Sequence, residues 1–223
     1  MARPAAEQIC SALRAAILNM QIRPGALISE NEVGQVFGAS RTPVREAFAQ
    51  LREDGLIMTW PSRGTYVSKL SEQQIIGAQF LREALESAVV ERLCTQGLSQ
   101  DSREKILAVL ESQRIAVAAG EKLEFQQLDD RFHLLLAEAT GFERIGGLLL
   151  REKSALDRLR VLSLNDSDRM GELLSEHEGI FNAIQKGDKD QAFERMRQHL
   201  RRVLATLSDL VAANRDFFEE AEV

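Results

Sequence analysis

The sequence predicts a mainly α-helical chain in two parts: an N-terminal winged helix-turn-helix over residues 1–70, then an all-helical antiparallel bundle over residues 71–223. Three observations predict it. Two amphipathic segments with start signals stand close together before Gly55. Two β-prone stretches flank Pro61-Ser62-Arg63-Gly64. Every segment beyond Ser71 keeps a helical apolar period.

The first helix is read from Ile9, Leu13, Ile17 and Met20, which share one stripe over residues 5–20, and Pro24-Gly25 then makes a turn. Ser29-Glu30-Asn31-Glu32 has the pattern of a capping box and opens a second helix that carries Val33, Val36 and Phe37 and ends at Gly38. The stretch SRTPVREAFAQL at residues 40–51 follows directly. Its Val44, Ala47, Phe48 and Leu51 fall at i, i+3, i+4 and i+7, and Thr42 is expected to cap the helix with Pro43 at the first helical position. Two helices joined by so short a turn form a helix-turn-helix, and LIMTW and TYV around PSRG supply the hairpin that makes it winged.

Arg41 and Arg45 stand at the positive end of the third helix, where a cation is disfavoured by some tenths of a kcal/mol. Arg52 lies on the same side, since about 100° per residue confines the three to roughly 40°. A polyanion would reverse that penalty. A recognition helix places its N-terminal residues against base edges and phosphates, where arginine binds guanine through two hydrogen bonds. Arg63 at the hairpin tip could reach phosphate, with Gly64 allowing close backbone approach.

Net charge does not oppose this. Of the 28 Lys+Arg and 34 Asp+Glu, residues 1–70 hold 8 and 6, a net of +2, and residues 71–223 hold 20 and 28, a net of −8. A mildly basic first part can meet a polyanion while the whole chain stays at −6. No apolar run reaches the roughly 18 residues of a membrane span. Cys10 and Cys94 lack metal-ligand spacing and read as packing residues of a cytoplasmic protein.

Ser71 to Gln74 is a second capping box, and about six helical segments follow, punctuated by Gly97, Gly120, Gly141, Asn165-Asp166 and Gly187-Asp188. All three histidines lie in apolar stripes of this part. His133 neighbours Phe132 and Leu136; His177 sits among Leu173, Leu174, Ile180 and Phe181; His199 sits between Met196 and Val203. Asp129 precedes His133 by four residues, the spacing of a two-ligand pair on one helix face. His177 and His199 are each 11 residues from Asp188, so a hairpin of the last two helices brings them to one level. The two pairs facing across a bundle make a candidate site for one divalent ion per chain: zinc first, with nickel, iron or manganese as alternatives. Arg82 is the remaining oddity, a charge in the stripe Ile75, Ala78, Leu85, Val89, Leu93 that needs an anion, either a ligand carboxylate or Glu86.

PGALISENEVGQVFGASRTPVREAFAQLREDGLI followed by SRGTYV resembles the GntR family of bacterial transcription regulators, and nearly the whole chain resembles its FadR-like subfamily with an all-helical FCD effector domain. The resemblance implies DNA contacts for Arg41, Thr42, Arg45 and Gly64, metal ligation by Asp129, His133, His177 and His199, and effector contact by Arg82. It further implies a homodimer, usually a repressor, on a palindromic operator, answering to a small organic or sugar acid. Asn31 stands where many members carry arginine, and Phe142 where asparagine is common. The rival expectation is a metal-dependent enzyme built on the Asp/His cluster.

Overall fold

The structure, a computed structural model, describes residues 4–163 and 167–219. The chain forms two compact units: Met1–Ile75 together with Asp209–Val223, and Ile76–Ser208.

In the first unit, α1 (Ala5–Leu18), α2 (Glu30–Phe37) and α3 (Arg41–Glu53) pack over a three-stranded antiparallel sheet of β1 (Leu27–Ile28), β2 (Ile57–Trp60) and β3 (Gly64–Val67), with β3 in the middle. Val44, Phe48 and Leu51 of α3 are fully buried against Ile9 and Ile17 of α1, which is the amphipathic pattern realised. The Ser29 hydroxyl accepts from the Glu32 amide at 3.5 Å, and α2 stops at Gly38, whose φ of 59° lies in the left-handed region. Two details differ from the sequence expectation. Strand β1, only two residues long, is too short to leave an alternating signal. Helix α3 starts one residue before Thr42, with Ser40 as its N-cap. Pro43 therefore lies inside the first turn, where its missing N–H is still one that no helical carbonyl would have met.

The second unit is a bundle of α4 (Glu72–Gln96), α5 (Gln100–Ala119), α6 (Lys122–Ala139), α7 (Glu143–Ser163), α8 (Ser167–Lys186) and α9 (Lys189–Ala205). The Ser71 hydroxyl meets the Gln74 amide at 3.4 Å as the capping pattern requires, and the Asp188 carboxylate caps α9 through the Gln191 amide at 3.0 Å. Phe125, Phe132, Leu136, Leu93 and Ile106 are fully buried in one core with Met196 and Ile180. The break expected at Asn165-Asp166 lies outside the described residues.

Beyond the six helices come α10 (Leu207–Ala213) and a short 3-10 turn at Arg215–Phe217. There the chain returns to the first unit. Leu70 donates to the Phe217 carbonyl at 2.8 Å and its own carbonyl accepts from Glu219 at 2.9 Å, with Phe218 and Leu70 both buried. No helix of the described residues is long and apolar enough to cross a membrane.

Candidate metal centre and nucleic-acid interface

Helix α6 presents Asp129 and His133 one turn apart, α8 presents His177, and α9 presents His199. All four are buried, and one donor atom from each lies within 4.8 Å of every other. Nε2 of His133 is 3.1 Å from Nε2 of His199 and 4.0 Å from Asp129 Oδ2, while Nε2 of His177 is 3.4 Å from Asp129 Oδ1. A tetrahedral ion with bonds of about 2.0–2.1 Å sets its donors roughly 3.4 Å apart, so the spacings suit such an ion.

What surrounds the cluster decides its protonation. His133 Nδ1 meets Glu86, His199 Nδ1 lies 2.7 Å from Glu176 Oε2, and His177 Nδ1 lies 2.9 Å from Gln113 Oε1. Each of these oxygens accepts, so each ring donates from Nδ1 and turns its Nε2 toward the centre. Burial first, and then the neighbouring imidazoles, push His177 and His199 well below the ordinary histidine value, which keeps them neutral. Nε2 of His177 is buried without a hydrogen bond. Three imidazole Nε2 atoms and a carboxylate converge on one point, an arrangement that favours a cation at the centre.

Arg82 is buried and donates from Nε to Glu86 Oε1 at 2.7 Å, so the internal partner considered from sequence is the one it holds here. Burial opposes charge on Glu86, but Arg82 and His133 beside it hold its carboxyl well below the usual range. Arg82 also lines a pocket with about 620 Å³ of unfilled space, partly continuous with solvent, that reaches Asp129, His133 and His199. Arg160 and Arg169 line the same pocket, with Phe125, Leu156 and Leu173 as apolar wall. Arg160 pairs with Asp129 and, at 2.7 Å, with Asp130. Burial and then Arg82 press its pKa down to about 9, so it remains cationic at neutral pH. Sequence reasoning missed Gln113, Arg160, Arg169 and Glu176. Periodicity marks a face as apolar but does not say which polar residues of other helices turn toward it.

In the first unit, Arg41, Thr42 and Arg45 are exposed at the start of α3. Arg45 Nε lies 3.3 Å from Glu30 Oε2 on α2. Arg52 turns instead toward the sheet, its Nη1 3.4 Å from Thr59 Oγ1 on β2. Arg63 and Gly64 are exposed at the hairpin tip. Gly64 has φ of 109°, a backbone conformation that L side chains rarely adopt, which is the reason this position favours glycine.

The comparisons agree with both halves. Residues 5–67 match the family model described as bacterial regulatory proteins of the gntR family, and residues 79–202 match the FCD domain. The chain is 36% identical over 218 residues to the HTH-type transcriptional repressor RspR of Escherichia coli (strain K12), covering 98% of this chain and 95% of that one. It is 29% identical over 219 residues to the HTH-type transcriptional regulator LutR of Bacillus subtilis (strain 168), covering 89% and 99%. The solved structure of E. coli McbR/YncC shares the fold, with a TM-score of 0.78 at 17% identity over 93% of this chain and 99% of that one. These families and relatives are transcription regulators rather than enzymes, which removes the rival expectation. The chain belongs to the GntR family of bacterial transcription regulators, in the FadR-like architecture with a C-terminal FCD domain.

Proposed function

We propose that this chain is a cytoplasmic, metal-containing repressor that binds a palindromic operator as a homodimer and answers to a small organic or sugar acid. In this reading residues 1–70 carry the DNA contacts, through Arg41, Thr42, Arg45, Arg52, Arg63 and Gly64, and residues 71–223 carry the metal and the effector. The relative RspR, named as a repressor, supports the sign of regulation.

The observation that carries the reading is the convergence of three buried imidazoles and the Asp129 carboxylate beside a pocket lined by Arg82, Arg160 and Arg169. Asp129, His133, His177 and His199 would hold one divalent ion, zinc first, with nickel, iron or manganese also suited to imidazole and carboxylate. The ion would supply a positive pole for an acid group in the pocket. Arg82, whose guanidinium is a planar donor fork, would orient that acid, and the apolar wall would receive its carbon skeleton.

The test is a thermal-shift screen of carboxylates and sugar acids on protein purified without chelator, with metal content measured by elemental analysis. Close to one ion per chain is expected, together with an acid that raises the melting temperature of the parent. Arg82→Met should keep the metal and lose the response to that acid. A metal-free protein that takes up no ion on titration overturns the metal assignment. An Arg82→Met variant that responds like the parent overturns the role of Arg82.

A further inference from the structure

The hairpin between β2 and β3 ends in a tight turn. Arg63 N donates to the Trp60 carbonyl at 3.1 Å, Pro61 occupies the second position, and Ser62 at the third has φ of 61°. That is the pattern of a type II turn, which normally places glycine where Ser62 stands. The Tyr66 hydroxyl donates to the Arg63 carbonyl at 2.9 Å. The tip is thus held rigidly from both sides, which lowers the ordering cost of any contact it makes.

On this tip sits the chain's one tryptophan. Trp60 is 52% exposed although it is the largest apolar side chain in the protein. It pairs across the ladder with Gly64, which offers no side chain to cover the ring. Strand alternation puts Trp60 on one sheet face with Met58, whose cross-strand partner Tyr66 faces Leu27 on β1, itself 61% exposed. The indole Nε1 lies 3.2 Å from the Met58 sulfur, so the ring lies along this strip. An apolar strip therefore ends against the exposed cation of Arg63. Thr59, on the opposite face of the same strand, meets Arg52 of α3, so the strand that carries the strip is tied to α3 from its other side.

We propose that Trp60 is a DNA contact: its ring packs on the deoxyribose wall of the minor groove beside the phosphate or groove edge met by Arg63. The wall of a groove offers what this tip lacks, apolar sugar carbons set next to negative charge. Proteins commonly use arginine with an apolar side chain in that way. Because every nucleotide carries the same sugar, the contact adds affinity without sequence choice. Arg45 on the recognition helix supplies choice instead.

The sole tryptophan makes the idea directly measurable. The full-length protein is titrated with a mixed-sequence duplex, and acrylamide quenching of Trp60 fluorescence is followed. Saturating duplex should shield the indole. Trp60→Ala, an exposed substitution that leaves the core intact, should weaken binding by about tenfold. The loss should be the same on mixed-sequence duplex and on an operator fragment selected from a random pool, with the salt dependence unchanged. Arg63→Ala should reduce the salt slope by about one unit, because it removes a phosphate charge. Unchanged quenching at saturation overturns the proposal, as does parental affinity in Trp60→Ala. So does shielding that grows with protein concentration in the absence of DNA, which would assign the strip to contacts between copies.

Discussion

Arg45 illustrates how a residue can be unfavourable where it stands and still be selected by its neighbours. The helix dipole costs it some tenths of a kcal/mol at the start of α3. Glu30 at 3.3 Å returns a comparable amount, since exposed pairs contribute about 0–1 kcal/mol. The free protein is thus nearly indifferent to this arginine, whereas a bound duplex would offer it bases and phosphates. Arg45→Ala should weaken binding to a selected operator fragment by about 1–3 kcal/mol while leaving the melting temperature close to that of the parent. Arg52, held by Thr59 on the sheet side, should cost less when truncated. Equal affinity of Arg45→Ala and parent at matched salt would remove α3 from the groove. Arg82 follows the same logic inside the bundle: Glu86 satisfies it, and Glu86 in turn grips His133, so one buried charge orients a histidine two contacts away.

At the scale of the element, each helix of the bundle brings half of an answer. Helix α6 supplies Asp129 with His133, while α8 and α9 supply one histidine each, and their turn at Gly187-Asp188 sets the level at which they meet. The cost of burying these rings shows in their titration. In the folded chain His177 and His199 lie well below 6.5, the unfolded value, so on acidification the unfolded state binds protons first. This part of the stability is complete above about pH 6.5 and declines as the pH falls below it. In chelator, the melting temperature should therefore drop between about pH 7 and pH 5, and metal affinity should fall over the same range because only neutral imidazole coordinates. A His199→Asn variant should flatten both profiles. A melting temperature independent of pH across that window would show that these rings are not buried as neutral bases.

For the whole molecule, the segment beginning at Asp209 matters because it belongs with residues 1–75 and not with the helices that precede it. Its Phe218, 2% exposed, locks beside Leu70 between two backbone hydrogen bonds. Phe218→Ala should lower the stability of this first unit by roughly 3 kcal/mol, the range of a buried phenylalanine truncation, and should release the Leu70 and Glu219 amides to hydrogen exchange. Metal content should stay at the parental level, since all four candidate ligands lie in the other unit. Full protection of those amides in the variant would mean that the backbone pairing holds without the ring.

Sequence alone determined helices α1 to α9 and their order, though not α10 or the 3-10 turn after it, together with the helix-turn-helix and its hairpin and the residues Asp129, His133, His177 and His199 as a set. All of these rest on local rules: apolar period, capping patterns and spacing along a helix. They reach no further than a turn or two, or one short hairpin. Tertiary structure decided the rest. Strand β1 is too short to announce itself, and only its pairing with β3 makes it a strand. Glu86, Gln113 and Glu176 became partners of the three histidines because packing turned them to one centre, across separations no periodicity measures. Arg82 remained open between two anions until geometry placed Glu86 at 2.7 Å, and Leu70 met Phe218 only because the chain returned to it. The physical reason is common to all of them. A side chain's own position fixes which face it shares, whereas its partner is chosen by the packing of apolar surface elsewhere in the fold.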